Sequence, residues 1–344
     1  MSTQSGNHQG GHRLVAIGGG GGVSQVLLGA RPYFGSLTAV IAVTDTGRST
    51  GTARAVAAMP APGDVRNTLS ALARDPDSLL ARLMQHRLRS PEVPLLDGMA
   101  FGNLLIAALT QMTGDFAEAV EAANLMLGCT ARILPVSTVN THLCADLEDG
   151  STAENELAVR ALNKAPISRL YLSTPNAPAY PPVLQAIAQA DVVVIGPGSF
   201  FTSVLATLLF DRMAEALRQT SATVVFVCNT TTQPGQTDGF TIYDHVRRIV
   251  DLLGPDTLDI ALINRSDTIP ASQVAQYAAE GLHLLRPSDD ELLKIAELGV
   301  TPLVRNFAEI SEGKRTLWNK QDTIRHDPTL LGLALWKIAL DRSA

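Results

Sequence analysis

The residues of this chain best suited to chemistry are small and uncharged: the glycine run Gly18 to Gly22, directly behind the apolar stretch Leu14-Val15-Ala16-Ile17. Without Cβ atoms, such residues let backbone N–H groups approach a phosphate and point at it from a helix N-terminus. Gly19, Gly20, Gly21 and Gly22 are therefore candidate ligand contacts. The dinucleotide fingerprint G-x-G-x-x-G is not met, because its last position falls on Val23 or Ser24. No lysine stands nearby to complete a G-x-x-x-x-G-K-[ST] phosphate loop.

Three further loops follow strand-like runs and share this chemistry. After Leu37 to Val43 comes Thr44 to Gly51, where Asp45 suits ribose hydroxyls or a metal held through water, and Ser49 and Thr50 can donate to phosphate. Gly196-Pro197-Gly198-Ser199 follows the run Asp191 to Ile195 and opens a helix, which repeats the anion-site arrangement. Cys228 to Gly239 is polar and rich in turn formers, and its Asn229 and Gln233 can read a base or sugar through their amides. Two helical segments look recruited to the same place. Asp64 in Pro62-Gly63-Asp64-Val65-Arg66-Asn67 reads as an N-cap, but Arg66 and Asn67 sit in a first turn, where arginine opposes the helix dipole. Gly102-Asn103 interrupts the helical stretch Gly98 to Met112, and a helix starting beside the ligand would explain both residues.

Other reactive residue types lack partners. His142 falls in a strand pattern and His245 in a helical one, neither at metal-ligand spacing. Cys129, Cys144 and Cys228 form no C-x-x-C pair, and no serine lies in G-x-S-x-G. No residue is assigned a catalytic role and none a metal-ligand role.

The elements that must position these loops alternate strand and helix. Helices are expected over Val23 to Ala30, three or four between Asp64 and Leu127, Phe201 to Leu217, Tyr243 to Leu253, and from Pro328 to about Leu340 behind the cap Asp327. Strands are expected at Thr223 to Cys228 and Leu258 to Ile263 besides those already named. In the middle, His142 to Leu147 and Ser151 to Leu157 flank the turn Asp149-Gly150 as a hairpin. The expected architecture is α/β: a Rossmann-like three-layer α/β/α arrangement with a mostly parallel sheet and a β-hairpin insertion. Residues 1–12 read as a disordered tail and 13–344 as one domain.

Composition bounds the function. Hydrophobic residues make up 46% and charged residues 17%, as in ordinary globular proteins, and the net charge of -6 gives no reason to expect nucleic acid or an anionic membrane. The most apolar stretch is broken at Gly196-Pro197-Gly198, which argues against a membrane span. With no signal-peptide pattern and few cysteines, a cytoplasmic protein is expected.

Taken together the loops resemble the CofD/YvcK family, which joins the phospholactate transferases of deazaflavin cofactor synthesis to the bacterial gluconeogenesis factors. The resemblance runs from about Arg13 to Leu340 and is carried by the glycine run, by Pro62 to Asn67, by Gly102-Asn103-Leu104-Leu105 and by Leu147 to Gly150. It continues through Gly196 to Ser199 with Thr202-Ser203, and Cys228-Asn229 with Thr232 to Gly235. Thr113 to Phe116 and Thr232 to Gly239 look like the gluconeogenesis-factor branch. That likeness implies a regulatory protein binding a UDP-sugar, UDP-N-acetylglucosamine in particular, linked to cell-wall synthesis and cell shape. The segment Ile324-Arg325-His326-Asp327 is similar to the branch's closing motif, which implies that Arg325 helps hold the sugar nucleotide. A homodimer is expected, since dimers are common among such folds.

One departure bears on catalysis. The family usually carries two adjacent aspartates after the second strand, whereas this chain has Asp45-Thr46, with Arg48 in place of a glycine. A divalent cation normally needs more than one hard oxygen ligand, so the pattern weakens a metal site. Gly21, where threonine is usual, is a milder change. The expectation is thus a non-catalytic, or weakly catalytic, binder that requires no cofactor. The alternative is a phospholactyl transferase with a diphosphonucleoside donor and a deazaflavin acceptor, in which Mg2+ would neutralise the diphosphate. A nicotinamide-dependent dehydrogenase is disfavoured by the failed fingerprint.

Overall fold

A computed structural model describes residues 11–265, 267, 269–309 and 324–343. The reading of residues 1–12 as a tail falls mostly on 1–10, outside the described residues.

Apolar runs long enough for strands but too short for helices form the centre. The strands in chain order are β1 (Arg13–Gly18), β2 (Ser36–Ile41), β3 (Arg132–Pro135), β4 (Leu143–Leu147), β5 (Thr152–Glu154), β6 (Ile167–Leu172), β7 (Val192–Ile195), β8 (Thr223–Val227), β9 (Ile260–Asn264) and β10 (Thr301–Arg305). Seven of them make one sheet in the order β10-β9-β8-β7-β1-β2-β3, every pair parallel. β7 is buried along its whole length and β1 everywhere but Arg13, so neither face of these strands meets water. Each Val or Ile so buried contributes about 1.5–3 kcal/mol relative to exposure. The expected α/β class with a mostly parallel sheet is the observed one. The expected hairpin is also present, β4 and β5 being antiparallel, and a third strand, β6, completes a small antiparallel sheet in the order β5-β4-β6.

Right-handed crossovers place the helices after β1 and β2 on one face and those after β7, β8 and β9 on the other. The helix Gly20–Ala30 packs against Gly63–Ala71 and against the last helix, Pro328–Ser343. That last crossing brings backbone onto backbone: a Cβ on Gly29 would collide with the Pro328 carbonyl, and one on Gly332 with the Gly29 carbonyl. Asp327 caps the helix as its sequence predicts, its Oδ1 accepting from the Thr329 and Leu330 amides at 2.7 and 3.1 Å.

Local boundaries differ from expectation in instructive places. The first helix starts at Gly20 rather than Val23, so glycines with low helix propensity are held there by their neighbours. The helix Arg48–Ala57 starts inside what reads as a polar loop, because Ser, Thr and Gly carry weak helix signals. The expected helix Phe201 to Leu217 is two pieces, Phe200–Leu208 and Met213–Gln219, separated where Arg212 takes φ 69°.

Candidate functional site

Strand order reverses between β1 and β7, the point where an open parallel sheet leaves a crevice at its carboxyl edge. Gly18 ends β1 at φ +151° and Gly196 follows β7 at φ +76°, conformations that glycine adopts without penalty. The backbone of Gly196 lies 3.7 Å from where a Gly18 Cβ would stand. A cleft of about 660 Å3 opens over this junction.

Both glycine loops enter the one cleft. Gly19, Gly20, Gly21 and Gly22 line it from the first, and Pro197, Gly198 and Ser199 from the second. Asp64, Asn67, Asn229, Gln233 and Arg325 complete the set of sequence-predicted residues found there. The contact between loops is close: a Cβ on Gly22 would strike the Pro197 carbonyl, and one on Gly20 the Asp64 carbonyl. A Cβ on Gly21 would meet nothing within 4 Å, so that glycine faces open space. Neither Gly19 nor Ser199 caps its helix through a side chain, and first-turn amides have no intrahelical partner. Such amides with the dipoles behind them suit an anion. Polar side chains brace the second loop, with the Phe200 amide donating to Gln233 Oε1 at 2.7 Å and Asn229 Nδ2 donating to the Gly198 carbonyl at 2.8 Å.

Asp45, Ser49, Thr50, Arg66, Gly102, Asn103 and Gly196 do not line the cleft. Apart from Gly196, they gather in a second polar cluster at the tip of β2. Thr50 Oγ1 donates to Asp45 Oδ2 at 3.2 Å, and the Gly47 amide donates to Asp45 Oδ1 at 2.7 Å. Ser49 Oγ accepts from the Ala100 amide and from Asn103 Nδ2, both at 2.9 Å. Gly102 lies under the Arg66 stem, whose Cγ would be 2.7 Å from a Cβ there. The helix Gly63–Ala71 links the two places: Arg66 Nη2 donates to Asn67 Oδ1 at 2.7 Å, and Asn67 lines the cleft.

Electrostatics separate the regions further. Arg66 is 5% exposed, and burial together with the nearby Arg87 charge lowers its pKa to about 10. Glu156, absent from the sequence-based set, is buried beside Asp45, and burial, the hydrogen bond to Asp45 and the Asp45 charge push its pKa up to about 9. The two carboxyl groups therefore share a proton at neutral pH. The Asp45 oxygens accept from the Gly47 amide and the Thr50 hydroxyl. Among the described residues no group of three or more His, Cys, Asp or Glu side chains is arranged to hold a metal ion.

Sequence reasoning missed other cleft residues, among them Arg160, Ser203 and His326. Ser203 and His326 stand inside motifs that carried the family resemblance, and their proximity to Ser199 and Arg325 was the available signal. Arg160 follows the short helix Glu156–Val159, and nothing in that segment's pattern points to an anion. His245 is a core residue as expected: it is fully buried, packs edge-on to Phe200 and Phe240, and burial lowers its pKa to about 4. Burial pushes the Cys228 and Cys129 thiols up to about 12, which leaves no thiolate for nucleophilic chemistry there.

Comparison with known proteins agrees with this architecture. The family model described as 2-phospho-L-lactate transferase CofD matches residues 14–308. The chain belongs to the CofD family. It is 39% identical over 322 residues to the gluconeogenesis factor of Halalkalibacterium halodurans, covering 94% of this chain and 95% of that one. It is 33% identical over 315 residues to the gluconeogenesis factor of Bacillus subtilis, covering 92% and 94%. A crystal structure of a UPF0052-family protein from Bacillus halodurans superposes with a TM-score of 0.85 at 34% identity, over 94% of this chain and 98% of that one. The CofD-family match begins at the first residue of the β1 apolar run and stops short of Arg325 and His326, so the rim of the cleft lies outside it.

Proposed function

We propose that this CofD-family protein is a regulatory binder of a nucleotide-sugar diphosphate, with UDP-N-acetylglucosamine as its ligand, linked to cell-wall synthesis and cell shape. The observation that carries the reading is the convergence of two glycine-containing loops, each opening a helix, on one cleft at the switch point. Backbone donors from both sides of the β1–β7 junction can hold the two phosphates. Arg325 at the rim adds a planar cation suited to a phosphate oxygen pair. A volume of about 660 Å3 lies within the range of small-molecule sites. Charge-assisted hydrogen bonds contribute about 1.5–3 kcal/mol each, so a few of them support binding of about -8 kcal/mol, a micromolar Kd, after association costs.

The test is ligand-induced stabilisation. UDP-N-acetylglucosamine is expected to raise the Tm of the wild type, and Arg325→Ala is expected to abolish the shift. An unchanged shift in the variant removes Arg325 from the site, and no shift in either protein ends the reading. Phospholactyl transfer would need Asp45 to serve a metal and its diphosphate. Asp45 is engaged with the Gly47 amide, the Thr50 hydroxyl and Glu156, which favours binding over transfer. Transfer to a deazaflavin, assayed with and without Mg2+, would overturn that ranking if turnover were robust.

A further inference from the structure

At the β1–β7 junction the cleft is lined by the two glycine loops together with Asp64, and beyond the tip of β8 by Asn229 and His326. Asn229 Nδ2 donates to the Gly198 carbonyl at 2.8 Å, which fixes the amide orientation and leaves Oδ1 facing the other way. Asn229 Oδ1 is buried and has no hydrogen-bond partner among the described residues. His326 is 5% exposed, and its ring is hydrogen-bonded to the backbone of Cys228, the residue before Asn229. His326 Nε2 is the ring nitrogen left without a partner. Bonding through Nδ1 to a carbonyl makes Nδ1 the protonated nitrogen and Nε2 a lone-pair acceptor. Burial lowers the His326 pKa to about 4, so the ring stays neutral and the acceptor persists at neutral pH. Both residues line the cleft.

Buried acceptors without partners are rare in folded proteins, because leaving them unmade costs free energy that nothing in the chain offsets. Unlike an orphaned core atom such as His245 Nε2, these two belong to residues that line one cleft and meet at Cys228, where a partner can arrive from outside. We propose that Asn229 Oδ1 and His326 Nε2 form an acceptor-only subsite that selects the ligand by an N–H or O–H donor on its nucleoside portion. This rests on the nucleotide reading above and deepens it: the glycine-loop amides hold phosphate, and the two acceptors read identity. The donor is either the imide N–H of a uracil-type base or a ribose hydroxyl, and both supply the same chemistry. A site built to pair a polar group rejects an analogue lacking it far more strongly than it favours an extra contact.

Isothermal titration of the full chain with four probes tests this. They are UDP, 3-methyl-UDP, which lacks the imide proton, 2′,3′-dideoxy-UDP, which lacks the ribose hydroxyls, and pyrophosphate. The wild type is expected to bind UDP at least about tenfold more tightly than one of the two blocked analogues, and which one identifies the donor. In His326→Phe, which removes the Nε2 acceptor, that gap is expected to close. His326→Gln, which returns an acceptor near Nε2, is expected to restore part of the gap. Because the wild-type comparison uses altered ligands only, it stands even where a variant fails to fold. The proposal is overturned if both analogues bind as UDP does, or if a folded His326→Phe keeps the full gap. Binding of pyrophosphate with no gain for UDP overturns the subsite but leaves the phosphate reading intact. Failure of UDP and pyrophosphate alike overturns both.

Discussion

The tips of β1 and β2 are adjacent in the sheet, follow similar apolar runs, and both end in short polar loops, yet they do opposite things. The β1 loop is open. Its glycines have no side chains to fold back, Gly21 faces empty space, and the donors it offers are main-chain amides. The β2 loop is sealed. Asp45 accepts from Gly47 and Thr50, Ser49 accepts from Ala100 and Asn103, and Glu156 closes over the top with a shared proton. Side chains able to bind a ligand are also able to bind one another, and at the second tip they do. Bare backbone at the first tip cannot satisfy itself in that way, and so it remains available.

The contrast is broken most severely at its tightest contact. Gly22→Ala drives a methyl group into the Pro197 carbonyl, and since both partners are backbone the cost is expected to be about 3 kcal/mol or more. Urea denaturation should record that loss together with the loss of nucleotide-dependent stabilisation.

The sealed loop can be probed through its proton. The folded state keeps a proton on the Asp45–Glu156 pair that the unfolded chain releases above the ordinary glutamate value of 4.5, so stability falls as pH rises from there toward about 9. The slope reaches about 1.4 kcal/mol per pH unit for one group. Glu156→Gln needs no proton, and its urea midpoint is expected to exceed that of the wild type at pH 8 and to fall less steeply between pH 5 and 8.

The wall behind the second glycine loop fails at the other end of the scale. His245 is neutral and buried with a pKa lowered to about 4, so stability present above the unfolded value of 6.5 is lost as pH falls toward 4. His245→Phe keeps the aromatic packing against Phe200 and Phe240 and is expected to flatten that acid limb, by less than the alkaline effect because the shift from 6.5 to about 4 spans a narrower pH window than that from 4.5 to about 9. The smallest effect belongs to Gly21→Ala, which meets no atom and should change stability by no more than about 0.5 kcal/mol. Paired with Gly22→Ala, it separates the steric demand of the loop from its mere richness in glycine.

Much of this was legible in the chain. The apolar runs that became β1, β7 and β8 are short, continuous and β-branched, and turn residues bound them sharply. Glycines placed directly after two of them gave the switch-point loops, because no other residue type serves such tight backbone contacts. Asp45, Ser49 and Thr50 have the right chemistry for a ligand, but type alone does not say whether a hydroxyl faces a cleft or a neighbouring carboxylate. That depends on Ala100, Asn103 and Glu156, which approach from distant parts of the chain. Arg160 and Glu156 escaped notice for the same reason: a helix of four residues leaves almost no periodic trace. The helix Arg48–Ala57 is held by tertiary packing against weak local preference, as Arg54 bonding across to Asn140 and Thr141 illustrates.

The crossing of Gly20–Ala30 by Pro328–Ser343 has a consequence for biosynthesis. The helix whose start offers amides to the ligand is braced from behind by a segment made about three hundred positions later, and Arg325 and His326 stand just ahead of that brace. Contacts between such distant stretches form late and slowly. A nascent chain whose synthesis has not yet reached Pro328 therefore displays its glycine loop without the brace that holds it from behind.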